Sequence, residues 1–130
     1  MLVVDTNIVV RYLARDHAPQ TARASKLLHN EQILLLKTVL LETEWVLRYR
    51  YGFDRQAIVI SLRALAGLPA VHVEDAPAVA QALDWFAAGM EFADALHLAS
   101  SGGADRFATF DRALATSARR LKAADVFPLT

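Results

Sequence analysis

The sequence predicts an α/β fold built on a small parallel sheet. Two observations carry that reading. Short apolar runs alternate with longer stretches of helical spacing along the whole chain. Cap and breaker residues fall between them, and no repeat, linker or low-complexity tract intervenes. Such alternation favours parallel strands joined by right-handed crossovers, with helices on both faces. The functional crevice of such a sheet lies beyond the carboxyl ends of its strands.

Each element has its own justification. Leu2–Val4 reads as a first strand. Asn7–Ala14 has helical spacing, with Ile8, Tyr12 and Val9 to one side. Asp16–Pro19 punctuates, and Pro19 suits the first turn of a second helix carrying Ala22, Leu27 and Leu28. Ile33–Leu36 is a second apolar run, readable as a strand or as a helix start. Val39–Tyr51 is helical and stops at Gly52. Asp54 is a good N-cap for a helix ending near Gly67 and Pro69. Val71–Val73 is a short strand. Asp75 is placed to cap a helix beginning at Ala76–Pro77, which Gly89 breaks. Ala93–Ser100 is a further helix, ended by Gly102–Gly103. Arg106–Thr109 reads as a strand, Arg112–Leu121 as a helix and Val126–Leu129 as a last extended piece.

The chain of 130 residues fits one domain over 1–130. Its 55% hydrophobic content supports a buried core and argues against disorder. The absence of cysteine excludes disulfides, thiolate metal sites and a cysteine nucleophile, and suits a reducing cytoplasm. No targeting segment is expected, because Leu2–Val4 stops at Asp5. No membrane span is expected either: Lys37 interrupts the runs Ile33–Leu36 and Val39–Leu41, and Glu42 closes them.

Charge is balanced, with 14 basic and 14 acidic residues, so net charge does not announce a nucleic-acid partner. Its distribution is uneven. Val71–Asp94 holds five acids and no lysine or arginine, whereas Trp45–Arg63 holds four arginines against Asp54 alone. Eleven of the basic residues are arginine, the type suited to bidentate phosphate or carboxylate contacts. Solvated helix faces are the plainer reading of both stretches.

The acids fall where chemistry is expected. Asp5 ends the first strand, and Asp111 follows the strand-like segment Arg106–Thr109 after Phe110. Asp94 opens FADALHLA and projects from the first turn of a helix. Glu42 sits early in the helix after the second apolar run. Carboxylates gathered in one crevice repel one another and raise each other's pKa. A hard divalent ion such as Mg²⁺ or Mn²⁺ relieves that repulsion. It also activates water near neutral pH and neutralises charge on a phosphodiester. Each acid has a structural alternative: Asp5 and Asp111 as helix N-caps, Asp94 as a cap or a partner of His97. Glu44 competes with Glu42, since residues two apart on a helix point about 200° apart. Trp45 and Trp85 read as core more readily than as base-stacking platforms.

Four motifs then carry a resemblance: VVDTNIVVRYL at 3–13, VLLETEWVLRYRYGF at 39–53, FADALHLA at 92–99 and ADRFATFDRAL at 104–114. In this order they resemble the PIN-domain ribonucleases, most closely the VapC-type toxins of toxin–antitoxin pairs, over nearly the whole chain. The resemblance implies a three-layer α/β/α fold with a small central parallel sheet. It implies an Mg²⁺- or Mn²⁺-dependent endoribonuclease hydrolysing RNA phosphodiester bonds. By motif position the catalytic acids are Asp5, Glu42, Asp94 and Asp111, with Asp5, Asp94 and Asp111 as metal ligands. Thr6, Asn7 and Thr109 match supporting polar positions, and the E-x-x-W-V-L pattern favours Glu42 over Glu44. The resemblance further implies an RNA substrate, a homodimer and a small antitoxin partner, with the arginine-containing stretches as candidate RNA contacts.

Two other readings compete. A haloacid-dehalogenase-type phosphotransferase also opens with a strand and an Asp, but needs a second acid two residues on, where this chain has Asn7. A non-catalytic binding module would use the acids to accept a basic peptide or cap helices.

Overall fold

The computed structural model describes residues Met1–Thr130. The chain divides into two compact units, Met1–Ala76 and Pro77–Thr130.

In the first unit, β1 (Leu2–Val3), β2 (Ile33–Leu35) and β3 (Val71–Val73) form a parallel sheet in that order. Leu2 pairs with Ile33, and Ile33 in turn with Val71. Helices α1 (Thr6–Ala14) and α2 (Ala18–Asn30) connect β1 to β2, and α3 (Lys37–Tyr49) and α4 (Arg55–Ala66) connect β2 to β3. Parallel neighbours need such crossovers, because a tight turn only joins antiparallel strands. The strands are short, two residues in β1 and three in β2 and β3, and Ile33 and Leu35 of β2 are fully buried. Leu28, Leu40, Leu47, Ile58, Leu62 and Leu65 contribute the helical side of the core.

Local chemistry sets the ends. Pro19 lies in the first turn of α2, where its missing N–H costs nothing. Gly52 has φ 69°, a left-handed turn that a side chain would strain, and it separates α3 from α4. Asp54 caps α4 by accepting from the Ala57 N–H at 2.8 Å.

The second unit contains most of α5 (Ala76–Ala87), followed by α6 (Phe92–Ala99), β4 (Phe107–Thr109), α7 (Arg112–Arg120) and β5 (Val126–Pro128). Strands β4 and β5 pair in parallel through the crossover helix α7. Phe86 and Phe92 are buried edge to face, with ring centroids 5.5 Å apart.

The predicted class is found, an α/β chain with parallel strands. The five strands divide between a three-stranded and a two-stranded hydrogen-bonded sheet, so Asp5 and Asp111 follow strands of different sheets. Several details differ from expectation. Thr6, Val9 and Val10 form the buried side of α1, while Ile8 and Tyr12 are half-buried. Ala24 and Leu28 anchor α2; Ala22 is exposed. Helix α3 starts at Lys37, two residues early, because the run after β2 turns helical immediately. Asp75 caps nothing: it has φ 52°, and its carboxylate accepts an ion pair from Lys37 Nζ at 3.1 Å. No helix is long and apolar enough to cross a membrane.

Candidate active site

In the first unit, Val4 is buried and Asp5 is the exposed residue that follows. Asp5 does cap α1: its Oδ1 accepts from the Thr6 N–H at 2.8 Å. That bond occupies Oδ1 and orients the carboxylate. Thr6 is buried, and its hydroxyl donates to Glu42 Oε1, a contact between the start of α1 and α3. Asn7 is exposed and lines a groove shared with Arg11.

The two glutamates of α3 have different surroundings. Glu44 is buried and ion-paired to Arg48, one turn on, at 2.8 Å. Glu42 is exposed and held by Thr6. A carboxylate locked in a buried pair is poorly placed to meet a substrate, and an exposed one with a fixed orientation is well placed. Thr43, between them, buries its hydroxyl without a hydrogen-bond partner.

In the second unit, Asp94 lies in the first turn of α6 and is half-buried. Burial raises its pKa above the ordinary 3.8; the charges of Asp111 and then Glu91 push it the same way, and His97 opposes them. Asp94 and Asp111, 17 residues apart in sequence, are thus electrostatic neighbours. Asp111 caps α7, its Oδ1 accepting from the N–H groups of Ala113 at 2.9 Å and Leu114 at 3.1 Å. Its own N–H donates to the Thr109 hydroxyl at 3.0 Å. Thr109 therefore shapes the turn that carries Asp111.

The structure thus ties Thr6 to Glu42 beside Asp5, and couples Asp94 to Asp111. It does not assemble any group of three or more His, Asp or Glu side chains in an arrangement that would hold a metal ion. The donor chemistry nevertheless fits a hard cation. All the candidate donors are carboxylate oxygens, and the charge of Asp94 is penalised by burial and by its acidic neighbours. Two contributors escaped sequence reasoning. Glu91 adds to the acidic field at Asp94, and its place before FADALHLA was the available signal. Arg23 in the groove beside Asn7 gave none, since helix packing placed it there.

No curated protein matches the chain. The sequence profile of the PIN domain does match it, over residues 2–122, a span that includes all four motifs; the chain belongs to the PIN domain family, a family of nucleases.

Proposed function

We propose that this protein is a divalent-metal-dependent endoribonuclease, acting as one domain over residues 1–130. The carrying observation is the setting of Asp94, a motif acid whose charge is penalised by burial and by a second motif acid, Asp111, in the absence of a cation. Asp5, Asp94 and Asp111 are the residues assigned to hold Mg²⁺, or Mn²⁺ in its place. When bound, the ion supplies positive charge against the phosphodiester and acidifies water.

The chain's own groups supply orientation. Thr6 fixes Glu42 through Oε1, so Oε2 is available to accept a proton from the attacking water. The water oxygen forms the new bond to phosphorus, the bond to the leaving oxygen breaks, and that oxygen takes up a proton. Thr109 and the α7 cap hold Asp111 in one orientation, a pre-organisation that lowers the cost of gathering like charges. The resemblance to VapC-type toxins supports a finer reading: a toxin working in the cytoplasm as a homodimer and held in check by a small antitoxin.

The experiment is cleavage of RNA by the purified protein with Mg²⁺, with Mn²⁺ and with chelator, beside Asp94→Asn. Metal-dependent cutting that falls by about 10²-fold or more in the variant supports the reading. Cutting that survives both chelator and the substitution contradicts it.

A further inference from the structure

The α1–α2 hairpin concentrates positive charge. Between Thr6 and Asn30 the chain carries Arg11, Arg15, Arg23 and Lys26 against one acid, Asp16, in a protein whose formal net charge is zero. A groove of about 420 Å³ runs along this hairpin. Asn7, Arg11, Gln20 and Arg23 line it together with the apolar Ala24 and Leu27. That volume falls within the range of small-ligand sites.

The two guanidinium groups in the groove differ. Arg11 is committed: Nε donates to Gln20 Oε1 at 2.7 Å, and Nη1 to Tyr51 Oη at 3.0 Å and Asp16 at 3.3 Å. Tyr51 also donates to Asp16 at 2.7 Å, which holds that carboxyl below its ordinary range and keeps it a charged partner for Arg11. Arg23 is exposed, and no side chain of the protein pairs with it. The arginine-rich stretch 45–63 offers less, because Arg48 is paired with Glu44, and Arg55 and Arg63 have partners within the protein.

We infer that this groove seats the sugar–phosphate backbone of the RNA strand, with Arg23 contacting a phosphate and Asn7 and Gln20 its neighbouring oxygens. The inference rests on the ribonuclease reading and says where that substrate runs. A free guanidinium at the end of a rigid, hydrogen-bonded wall is what a phosphate needs, and Ala24 and Leu27 suit the apolar faces of sugar and base. Asn7 is two residues beyond Asp5, so a strand lying here passes beside the first motif acid.

The test measures binding of a short, labelled single-stranded RNA to the full chain over a salt series in chelator, and KM for its cleavage with metal. Arg23→Glu is expected to raise Kd and KM about tenfold, and Arg23→Ala to flatten the salt slope by about 0.7. Arg23→Lys should retain most of both. The unfolding midpoint should stay in place, because nothing in the protein leans on that side chain. An unchanged Kd and slope in a folded Arg23→Glu overturns the inference, as does an equal loss from Arg50→Glu, which lies outside the groove. Poly-glutamate binding that depends on Arg23 while RNA binding does not would assign the groove to an acidic protein segment, and also overturns it. If Arg23→Glu weakens RNA binding but the native protein never cuts, the groove stands and the nuclease reading falls. If the native protein cuts and Arg23→Glu cuts with the same KM, the reverse holds.

Discussion

At the residue scale, two residues of α3 separate a buried, ion-paired acid from an exposed one. Glu44 is buried against Arg48, so removing it takes a charge-assisted hydrogen bond from a guanidinium that is itself only partly exposed. Glu44→Ala should therefore cost about 2–3 kcal/mol in denaturant unfolding, below the full value of a deeply buried pair because Arg48 reaches solvent. Glu42→Gln should cost under about 1 kcal/mol, since that side chain is exposed, while cleavage drops by about 10²-fold. Asp94 gives a pH signature. Its folded pKa lies above the ordinary 3.8, so the folded state binds more protons than the unfolded state between those two values. Stability of the metal-free protein should thus fall as pH rises through that window, and Asp94→Asn should remove that part of the slope. Thermal midpoints of both proteins across the acid range check this. The choice between Glu42 and Glu44 was not legible from periodicity, because apolar residues surround both. The Thr6 hydrogen bond and the Arg48 pair separate them, and both are products of packing.

At the element scale, most boundaries were legible because they rest on local chemistry: the Pro19 start of α2, the Asp54 cap, the Gly52 turn and the Asp111 cap. What failed was tertiary. Asp75 is as good a cap by type as Asp54, yet Lys37 of another element claims its carboxylate. The cap of α2 is unusual in the opposite sense. His17 Nδ1 accepts from the Gln20 N–H at 3.2 Å, a weaker arrangement than an aspartate would make. His17→Asp should stabilise the protein by about 0.5 kcal/mol, and His17→Ala should destabilise it by about 0.5–1 kcal/mol, read from denaturant midpoints.

At the scale of the whole molecule, the α/β class and the parallel pairing were legible from strand–helix alternation, and the PIN family from motif order. The division of five strands between two sheets was not, since hydrogen bonding between strands that are distant in sequence leaves no local mark. Nor was the positive α1–α2 hairpin, which a net charge of zero conceals. The central claim is that the coupled carboxylates of this PIN domain serve a divalent ion. Its most direct test is titration of Mn²⁺ into the native protein and into Asp94→Asn, followed by calorimetry. The account predicts a saturable site in the native protein that the substitution weakens at least about tenfold, the scale on which loss of a supporting group alone reduces metal affinity. Mn²⁺ binding of equal strength in both proteins, or none in either, would contradict it.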